Sequence, residues 1–253
     1  MQEYQTKAIN SLTSKYDIKG KKILEIGGDL SHSVASYLVN HGAQHVTSIN
    51  IDPKFPTKEV SQKISAKNLS ATELTNYYNE ETFDVVFGVA ILEHIDNTPL
   101  LLNQIYSVLK KNGLVLLQGG PIWTCSIGHH VWVNCDENIY RFNNHKINPI
   151  PNWYHLLLSP NEMQSYLVEQ QNISSDHADK IVSYIYEERD LSRIGYADFF
   201  DIFQASQFKI LEAFQRYGAK PDHQVLSQLK DVFSEKHHNF EINGIQFLLQ
   251  KTT

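Results

Sequence analysis

The chain alternates short apolar runs with segments of helical periodicity, and this alternation limits the possible folds more than any other feature. The runs KILEIG at 22–27 and FDVVFGVAIL at 83–92 are apolar almost throughout, as is typical of parallel strands covered on both faces. Between them, 31–41 has the pattern of a helix and HVTSINID at 45–52 that of a strand, which completes a β-α-β unit. The sequence therefore predicts an α/β fold with a doubly wound, mostly parallel sheet and right-handed crossovers.

The same alternation continues to the end of the chain. Residues 97–111 have helical spacing, and LVLLQGG at 114–120 has the pattern of a strand. A further helix is predicted at 196–207 and further strands at 208–217 and 244–251. These segments indicate that the sheet resumes after an interruption.

The interruption covers 121–195, where the composition changes and all three Trp and both Cys occur. From 159 to 193 the pattern is helical, and Ser159 followed by Glu162 forms the sequence signature of a capping box. We predict an inserted, mainly helical cap at 121–195 on a core formed by 1–120 and 196–253.

The charge balance excludes some partners. With 22 Lys and Arg against 28 Asp and Glu, the net charge is -6, so we expect no nucleic-acid partner. The first residues lack the pattern of a signal peptide, and no run of about 18 apolar residues occurs, so we expect a cytoplasmic protein without a membrane partner. The two Cys are too few and too loosely spaced for a zinc cage or a disulfide scaffold.

A glycine turn follows the first strand, at 25–31 (EIGGDLS). A strand-turn-helix unit offers free backbone N–H groups and the positive end of a helix dipole, which suits a nucleotide ligand. The dinucleotide pattern G-x-G-x-x-G fails, because Asp29 and His32 stand where it requires glycine. Asp29 would also repel a pyrophosphate, and its place in the turn predicts a positive φ.

Asp52 stands at the end of the second predicted strand, about two dozen residues after the glycine turn. An acid there can accept hydrogen bonds from both ribose hydroxyls of an adenosine ligand. The alternative is a helix-capping or merely solvated Asp.

With these features in place, residues 1–120 and 196–253 resemble the class I S-adenosylmethionine-dependent methyltransferases. KKILEIGGDLS is similar to their first motif, and Asp52 falls at their ribose-binding acid. FDVVFGVAILEHI followed by LLLNQIYSVLKKNGLVLL is similar to their fourth strand, the next helix and the fifth strand, and this block is the more specific signal. The resemblance implies a seven-stranded, Rossmann-like sheet with S-adenosylmethionine as cofactor.

The resemblance also implies which residues surround the methionine moiety, the ribose, the adenine and the sulfonium: Glu25, Gly27, Gly28, Asp52, Asn68, Leu69, Ala90 and Ile91. Asn68 replaces the acid that the family has near the adenine. Asp29 and Ser31 replace two glycines of the first motif. Glu93 and His94, which follow the fourth strand of the motif block, are either helix-start residues or part of the site.

Methyl transfer is an in-line displacement that depends on alignment and on exclusion of water, and a cap suits both. A hydroxyl acceptor needs a base, whereas a phosphate, phosphoramidate or carboxylate oxygen does not. His129 and His130 lie about ten residues beyond the predicted strand 114–120 and are the candidate bases. Alternatively, one of them hydrogen-bonds within the cap and the other is exposed. A metal site of His129, His130 and His155 lacks a suitably spaced carboxylate, so we expect no metal.

The cap sequence, with GHHVW and PNWYHLLLSPNEM, resembles methyltransferases of bacterial capsule and lipopolysaccharide biosynthesis. This resemblance implies a small-molecule acceptor that is a saccharide, a sugar nucleotide or a phosphoramidate. Arginine suits phosphate and tryptophan suits a sugar face, although solvation and packing within the cap are the alternatives. The predicted substrate-binding residues are Trp132, Arg141, His155, Arg189 and Arg193.

Three functions remain open from the sequence. The first is an O-methyltransferase acting on one of these acceptors. The second is a non-catalytic ligand- or partner-binding module on the same fold, which the replaced glycines motivate. The third is a nicotinamide oxidoreductase, which the failed glycine pattern and the lack of a Tyr-x-x-x-Lys pair disfavour.

Overall fold

The structure is a computed structural model that describes residues 1–188 and 191–252. Its strands are β1 (Lys22–Ile26), β2 (His45–Asn50), β3 (Lys58–Ser61), β4 (Ile64–Asn68), β5 (Phe83–Val89), β6 (Leu109–Gly119), β7 (Trp132–Cys135), β8 (Asn138–Arg141), β9 (Lys209–Tyr217) and β10 (Ile242–Gln250). Its α-helices are α1 (Glu3–Thr13), α2 (Ser33–Asn40), α3 (Thr98–Val108), α4 (Tyr154–Leu157), α5 (Pro160–Glu169), α6 (Ser175–Glu187), α7 (Tyr196–Ala205) and α8 (His223–Val232). Short 3-10 helices cover Ala71–Asn76, Leu92–His94 and Glu235–His237.

Eight strands form the central sheet in the order β3-β4-β2-β1-β5-β6-β10-β9. The five strands from β4 to β6 are mutually parallel, whereas β10 pairs antiparallel with β6 and β9, and β3 pairs antiparallel with β4. The predicted doubly wound, mostly parallel sheet is confirmed. The predicted number of seven strands is one too few, because β3 adds a short edge strand. Its sequence KEVS is mostly exposed, so it lacks the apolar pattern of a buried strand.

Helices cover both faces of the sheet, and side chains alternate between the faces along each strand. On β5, Val85 and Phe87 pack with the apolar side of α1 and α2, whereas Val86 packs on the opposite face with α3 and α7. Because both faces are buried, β5 must be apolar at nearly every position. This is the physical reason why the parallel strands were recognisable in the sequence.

Helix α3 ends three residues earlier than its periodicity predicts. Asn97 caps its start by accepting a hydrogen bond from the Leu100 N–H at 3.0 Å, but the helix stops at Val108. Leu109 is already extended, fully buried and paired with Phe83 of β5. The apolar spacing continues past Val108 because Leu109 is needed in the sheet, so tertiary pairing overrides the helical pattern.

The segment 121–195, called the cap segment below, contains the hairpin β7-β8 followed by α4, α5 and α6. The helical prediction from 159 onward is confirmed by α5 and α6, and the capping box of Ser159 and Glu162 begins α5. The half before Ser159, for which no helical pattern was predicted, consists of loops, the hairpin and the short helix α4. The cap segment has its own apolar cluster, which includes Val131, Met163 and Ile181. Its boundaries as a separate domain stay a prediction.

Within the described ranges, none of the helices has the length and apolar character that crossing a bilayer requires.

Candidate active site

The predicted cofactor residues lie at one edge of the sheet, because parallel strands bring their carboxyl ends to the same side. The glycine turn (25–31) leaves β1 there, next to the turns that follow β2, β5 and β6. Strand β9 runs antiparallel to β10, which runs antiparallel to β6. The carboxyl end of β9 therefore reaches the same edge.

The two glycines of the turn are required by close packing. A Cβ on Gly28 would lie 1.8 Å from the Ser48 Oγ, and a Cβ on Gly27, whose φ is +82°, would lie 2.6 Å from Ile91 Cγ2. Both N–H groups donate to the Ile49 carbonyl, at 2.9 and 3.0 Å. The expectation that these N–H groups are free for a ligand is therefore wrong, and the turn instead fastens β1 to β2.

Asp29 stabilises the turn before helix α2 and adopts no positive φ. Its carboxylate accepts hydrogen bonds from the Ser31 N–H and the Ser33 hydroxyl, both at 2.7 Å. Burial opposes ionisation, but these hydrogen bonds outweigh it and lower the pKa of Asp29. The positive φ predicted for Asp29 falls instead on Gly27 and on His32, which has a φ of 52°. The hydrogen bonds of Asp29 with Ser31 and Ser33 thus stabilise the turn that leads into α2.

Glu25 places an isolated carboxylate beneath the turn. It is buried in β1, and its Oε2 finds no hydrogen-bond partner in the described part of the chain. Burial raises the pKa of Glu25 to about 7, opposed by the Ser48 hydroxyl and reinforced by the charge of Asp29. A buried polar atom without a partner is costly, so this position suits a ligand that donates hydrogen bonds.

Asn50 is the last residue of β2 and was not among the predicted site residues. It connects the glycine turn to Asp52 by hydrogen bonds. Its Nδ2 donates to the Gly28 carbonyl at 2.7 Å, and its Oδ1 accepts from the Asp52 N–H at 2.9 Å. Asp52 is exposed, and its Oδ1 accepts from the Lys54 N–H at 2.8 Å. The sequence signal that could have identified Asn50 is its position as a polar residue at the end of β2.

Asn68 and Leu69, at the end of β4, form hydrogen bonds with the turn that follows β2. The Nδ2 of Asn68 donates to the Asp52 carbonyl at 2.6 Å and to the Asn50 carbonyl at 3.2 Å. The Leu69 N–H also donates to the Asn50 carbonyl, at 3.0 Å. Asp52, Asn68 and Leu69 therefore belong to one hydrogen-bond network at the ends of β2 and β4. Their contacts with adenosine stay a prediction.

A cavity of about 460 Å³ opens where β5 and β6 end and is called the acceptor cavity below. Ala90, with a φ of 57°, lines it, and the next residue, Ile91, packs on Gly27. The cavity and the glycine turn therefore share a wall. The other side chains used below that line the cavity are Tyr4, Glu93, His94, His130, Trp132 and Arg216.

The two candidate bases differ in position. His130 lines the acceptor cavity, whereas His129 is fully buried outside it, where its Nδ1 accepts a hydrogen bond from the Val131 N–H at 3.2 Å. Burial lowers the pKa of His130 to about 3 and holds the pKa of His129 well below its ordinary value, so both rings are neutral. His155 is also buried away from the cavity, and its Nε2 is 2.8 Å from the Trp123 carbonyl.

Glu93 is the second buried carboxyl group of the site. It lines the acceptor cavity, and no partner for its Oε2 is found among residues 1–188 and 191–252. Burial raises the pKa of Glu93 to about 7, and the charges of His94 and Arg216 partly oppose this. Glu93 and His94 were interpreted either as helix-start residues or as part of the site. Both residues lie on the 3-10 helix Leu92–His94 and line the cavity.

Of the predicted substrate residues, Trp132 lines the cavity with 52% of its surface exposed. The guanidinium of Arg141 stacks 4.3 Å from its ring centroid and donates to the Val133 and Tyr140 carbonyls. Arg193 donates to the Ile185 carbonyl at 2.8 Å and does not line the cavity. These two arginines have structural hydrogen bonds, and their substrate contacts stay predictions. Arg189 lies outside the described residues.

Arg216 and Tyr4 line the cavity although neither was among the predicted site residues. Arg216, near the carboxyl end of β9, lines the cavity and donates to the Asn243 Oδ1 at 2.8 Å. Tyr4 of α1 also lines the cavity, and burial, with smaller effects of the charges of Glu93 and Asp29, raises its pKa. Arg216 was recognisable as an arginine at the end of a strand, but the position of β9 in the sheet was needed to place it.

The state of Glu25 predicts a pH-dependent stability of the ligand-free protein. Its pKa is raised from 4.5 to about 7, so the folded form loses stability relative to the unfolded form as pH rises through this interval. We expect Glu25→Gln to gain roughly 2 kcal/mol over the wild type between pH 5 and pH 8, from the size of the pKa difference. Urea unfolding followed by circular dichroism measures it, with the exposed Glu59→Gln as the control for net charge. An unchanged difference between the two pH values would contradict this account of Glu25.

Comparison with known proteins supplies the family. Residues 1–171 match the sequence profile of a family described as "Methyltransferase domain". The fold is similar to a Listeria monocytogenes protein assigned to the S-adenosylmethionine-dependent methyltransferases, with a TM-score of 0.56, 13% identity and coverage of 98% of this chain and 100% of that one. It is also similar to an S-adenosylmethionine-dependent methyltransferase from Mesorhizobium loti, with a TM-score of 0.53, 11% identity and 95% coverage of both chains.

A third similar structure is that of SpnF, which is a cyclase, with a TM-score of 0.50, 12% identity and coverage of 96% of this chain and 79% of that one. At these identities, structural likeness shows the fold alone. No curated protein sequence matches this chain significantly. The predicted methyltransferase is confirmed by the family profile, which covers 1–171 of the 253 residues. The chain thus belongs to the methyltransferase-domain family.

Proposed function

We propose that this protein transfers the methyl group of S-adenosylmethionine to an oxygen atom of a small acceptor bound in the acceptor cavity. The observation that carries the proposal is the wall shared by the cavity and the glycine turn, through Ala90 and Ile91. A donor bound along the turn and an acceptor in the cavity would be neighbours, as an in-line displacement requires.

The residues at the glycine turn fit such a donor. Glu25 offers a buried carboxylate oxygen without a partner among the described residues, and Gly27 is exposed without a Cβ to obstruct the approach of a ligand. The exposed Asp52 is available for the ribose. S-adenosylmethionine, on which the Mesorhizobium loti methyltransferase is described as dependent, supplies a methyl group activated by a positively charged sulfur.

The cavity lining favours an acceptor that carries both a sugar and an anionic group. Arg216 offers a planar guanidinium, suited to a phosphate, phosphoramidate or carboxylate. Trp132 offers an exposed aromatic ring, suited to a sugar face. This lining supports a saccharide, sugar-nucleotide or phosphoramidate acceptor, and with the resemblance of the cap sequence it supports a role in bacterial surface-polysaccharide biosynthesis.

The alternative of a non-catalytic binding module was motivated by Asp29 and Ser31 in place of glycines. Asp29 accepts hydrogen bonds from the Ser31 N–H and the Ser33 hydroxyl, and the turn keeps its close contact with β2. The replaced glycines therefore give no reason to expect a lost cofactor site, which supports the enzyme.

The function is tested by transfer of a labelled methyl group from S-adenosylmethionine to a panel of sugar phosphates, sugar nucleotides and glycosyl phosphoramidates. We expect product with an anionic acceptor. In Arg216→Gln, the KM for that acceptor should rise about tenfold or more, because a charge-assisted hydrogen bond is lost. Lys220→Gln removes the same charge at an exposed residue outside the cavity lining and should leave the KM unchanged.

Transfer to neutral acceptors only, or an equal effect of both substitutions, would contradict the anionic acceptor. Absence of methyl transfer across the panel, combined with binding of S-adenosylhomocysteine in a thermal shift assay, would favour the non-catalytic module.

The positions of the two neighbouring histidines predict different consequences for their removal. His130→Ala should lower kcat about a hundredfold or more with little change in cofactor affinity, because His130 faces the acceptor. His129→Ala should lower the melting temperature while kcat stays within a few-fold of the wild type, because His129 is buried outside the cavity. Steady-state kinetics and thermal unfolding measure the two effects. A kcat that is unchanged in His130→Ala would remove this residue from the mechanism.

A further inference from the structure

Three side chains that could bind a metal ion meet in the wall of the acceptor cavity. A carboxylate oxygen of Glu93 and one ring nitrogen each of His94 and His130 all lie within 4.8 Å of one another. Glu93 and His94 share the 3-10 helix that follows β5, whereas His130 comes from the loop that leaves β6. The fold therefore brings the third residue to the first two from a distant part of the sequence.

The donor set is typical of a particular class of ion. Two imidazoles and one carboxylate suit Zn²⁺, Fe²⁺, Mn²⁺ or Co²⁺, whereas Ca²⁺ and Mg²⁺ prefer oxygen ligands. With bonds of about 2 Å, the donor atoms around such an ion lie roughly 3 to 3.4 Å apart. The present spread of up to 4.8 Å is close enough for side-chain rotation to complete the site.

The buried ligands are present without competing partners. Neither Glu93 Oε2 nor His130 Nδ1 has a hydrogen-bond partner within the described ranges, although both residues are at least nine-tenths buried. A bound cation would stabilise the buried Glu93 carboxylate further than its backbone hydrogen bonds, including the one with Gly120, do.

The remaining coordination positions would face the acceptor cavity. Structural metal sites are closed by protein ligands, whereas three protein ligands beside a cavity are typical of catalytic sites that keep a position for substrate. His94 is exposed and lines the cavity, so an ion could enter from that side.

We propose that Glu93, His94 and His130 bind a divalent transition-metal ion that coordinates the reacting oxygen of the acceptor. Coordination makes a hydroxyl group more acidic, so its proton is released to solvent water. The oxygen then forms a bond to the methyl carbon of the donor, the bond from that carbon to sulfur breaks, and its electron pair stays on sulfur. Binding of the ion rests on the geometry alone, whereas this role rests on the proposed function.

The metal site differs from the one considered from the sequence. That set was His129, His130 and His155, and it lacked a suitably spaced carboxylate. The structure places His129 and His155 together, with ring centroids 5.3 Å apart, but outside the cavity lining. The carboxylate comes from Glu93, which was considered a helix-start or site residue. The three-residue cluster depends on folding, because Glu93 and His130 are 37 residues apart in the sequence.

The test is titration of the chelator-treated protein with Co²⁺, whose visible absorption reports coordination by protein ligands. We expect one saturable site in the wild type and a loss of affinity of about a hundredfold or more in Glu93→Gln, His94→Asn and His130→Asn. His94→Asn changes an exposed residue, so it tests the site even if a buried variant fails to fold. His177→Ala is the matched control, because His177 lies outside the cavity lining, where its Nε2 is 3.4 Å from the exposed Asp136 carboxylate, and this variant should bind Co²⁺ as the wild type does.

An absent cobalt spectrum, or equal affinity in the wild type and His94→Asn, would overturn the metal site. Methyl transfer at full rate by the metal-free protein would overturn the role of the ion. If Co²⁺ binds as expected but no acceptor of the panel is methylated, the proposed function fails and the metal site stands.

Discussion

The site depends on the close approach of the glycine turn to its neighbours on both sides. Gly27 and Gly28 donate their N–H groups to Ile49 of β2, and Ile91 beyond β5 occupies the space that a Cβ on Gly27 would need. A larger residue at either glycine would push the ends of three adjacent strands apart. Because Ile91 is held there, the turn after β5 presents Ala90, Glu93 and His94 to one cavity.

Burial determines the chemistry of the groups at this edge. Glu25 and Glu93 both have raised pKa values because the loss of water on burial outweighs the hydrogen bonds and charges that favour ionisation. The same burial keeps His130 neutral. Carboxyl groups and a neutral imidazole that are stabilised poorly by the protein itself are poised to interact with a bound ligand or ion. Burial of these ionisable groups lowers the stability of the fold, which is consistent with a role in binding or catalysis.

The sequence predicts the parallel core well, because strands buried on both faces must be apolar and their helices must be amphipathic. It predicts less well where tertiary contacts decide. Leu109 has helical spacing but belongs to β6, and β3 is an exposed edge strand without a pattern of its own. Within the site, the sequence locates the glycine turn and His130. It cannot place Arg216 or pair Glu93 with His130, since these contacts depend on the strand order.

The central claim is that the glycine turn holds the methyl donor and that the adjoining cavity holds the acceptor. A crystal structure of the protein with S-adenosylhomocysteine tests this most directly. The account predicts that the amino-acid end of the ligand lies along Glu25 and Gly27, with its sulfur beside Ala90 at the wall of the cavity. A ligand bound away from this edge of the sheet, or crystals in which saturating ligand leaves the turn unchanged and vacant, would contradict it.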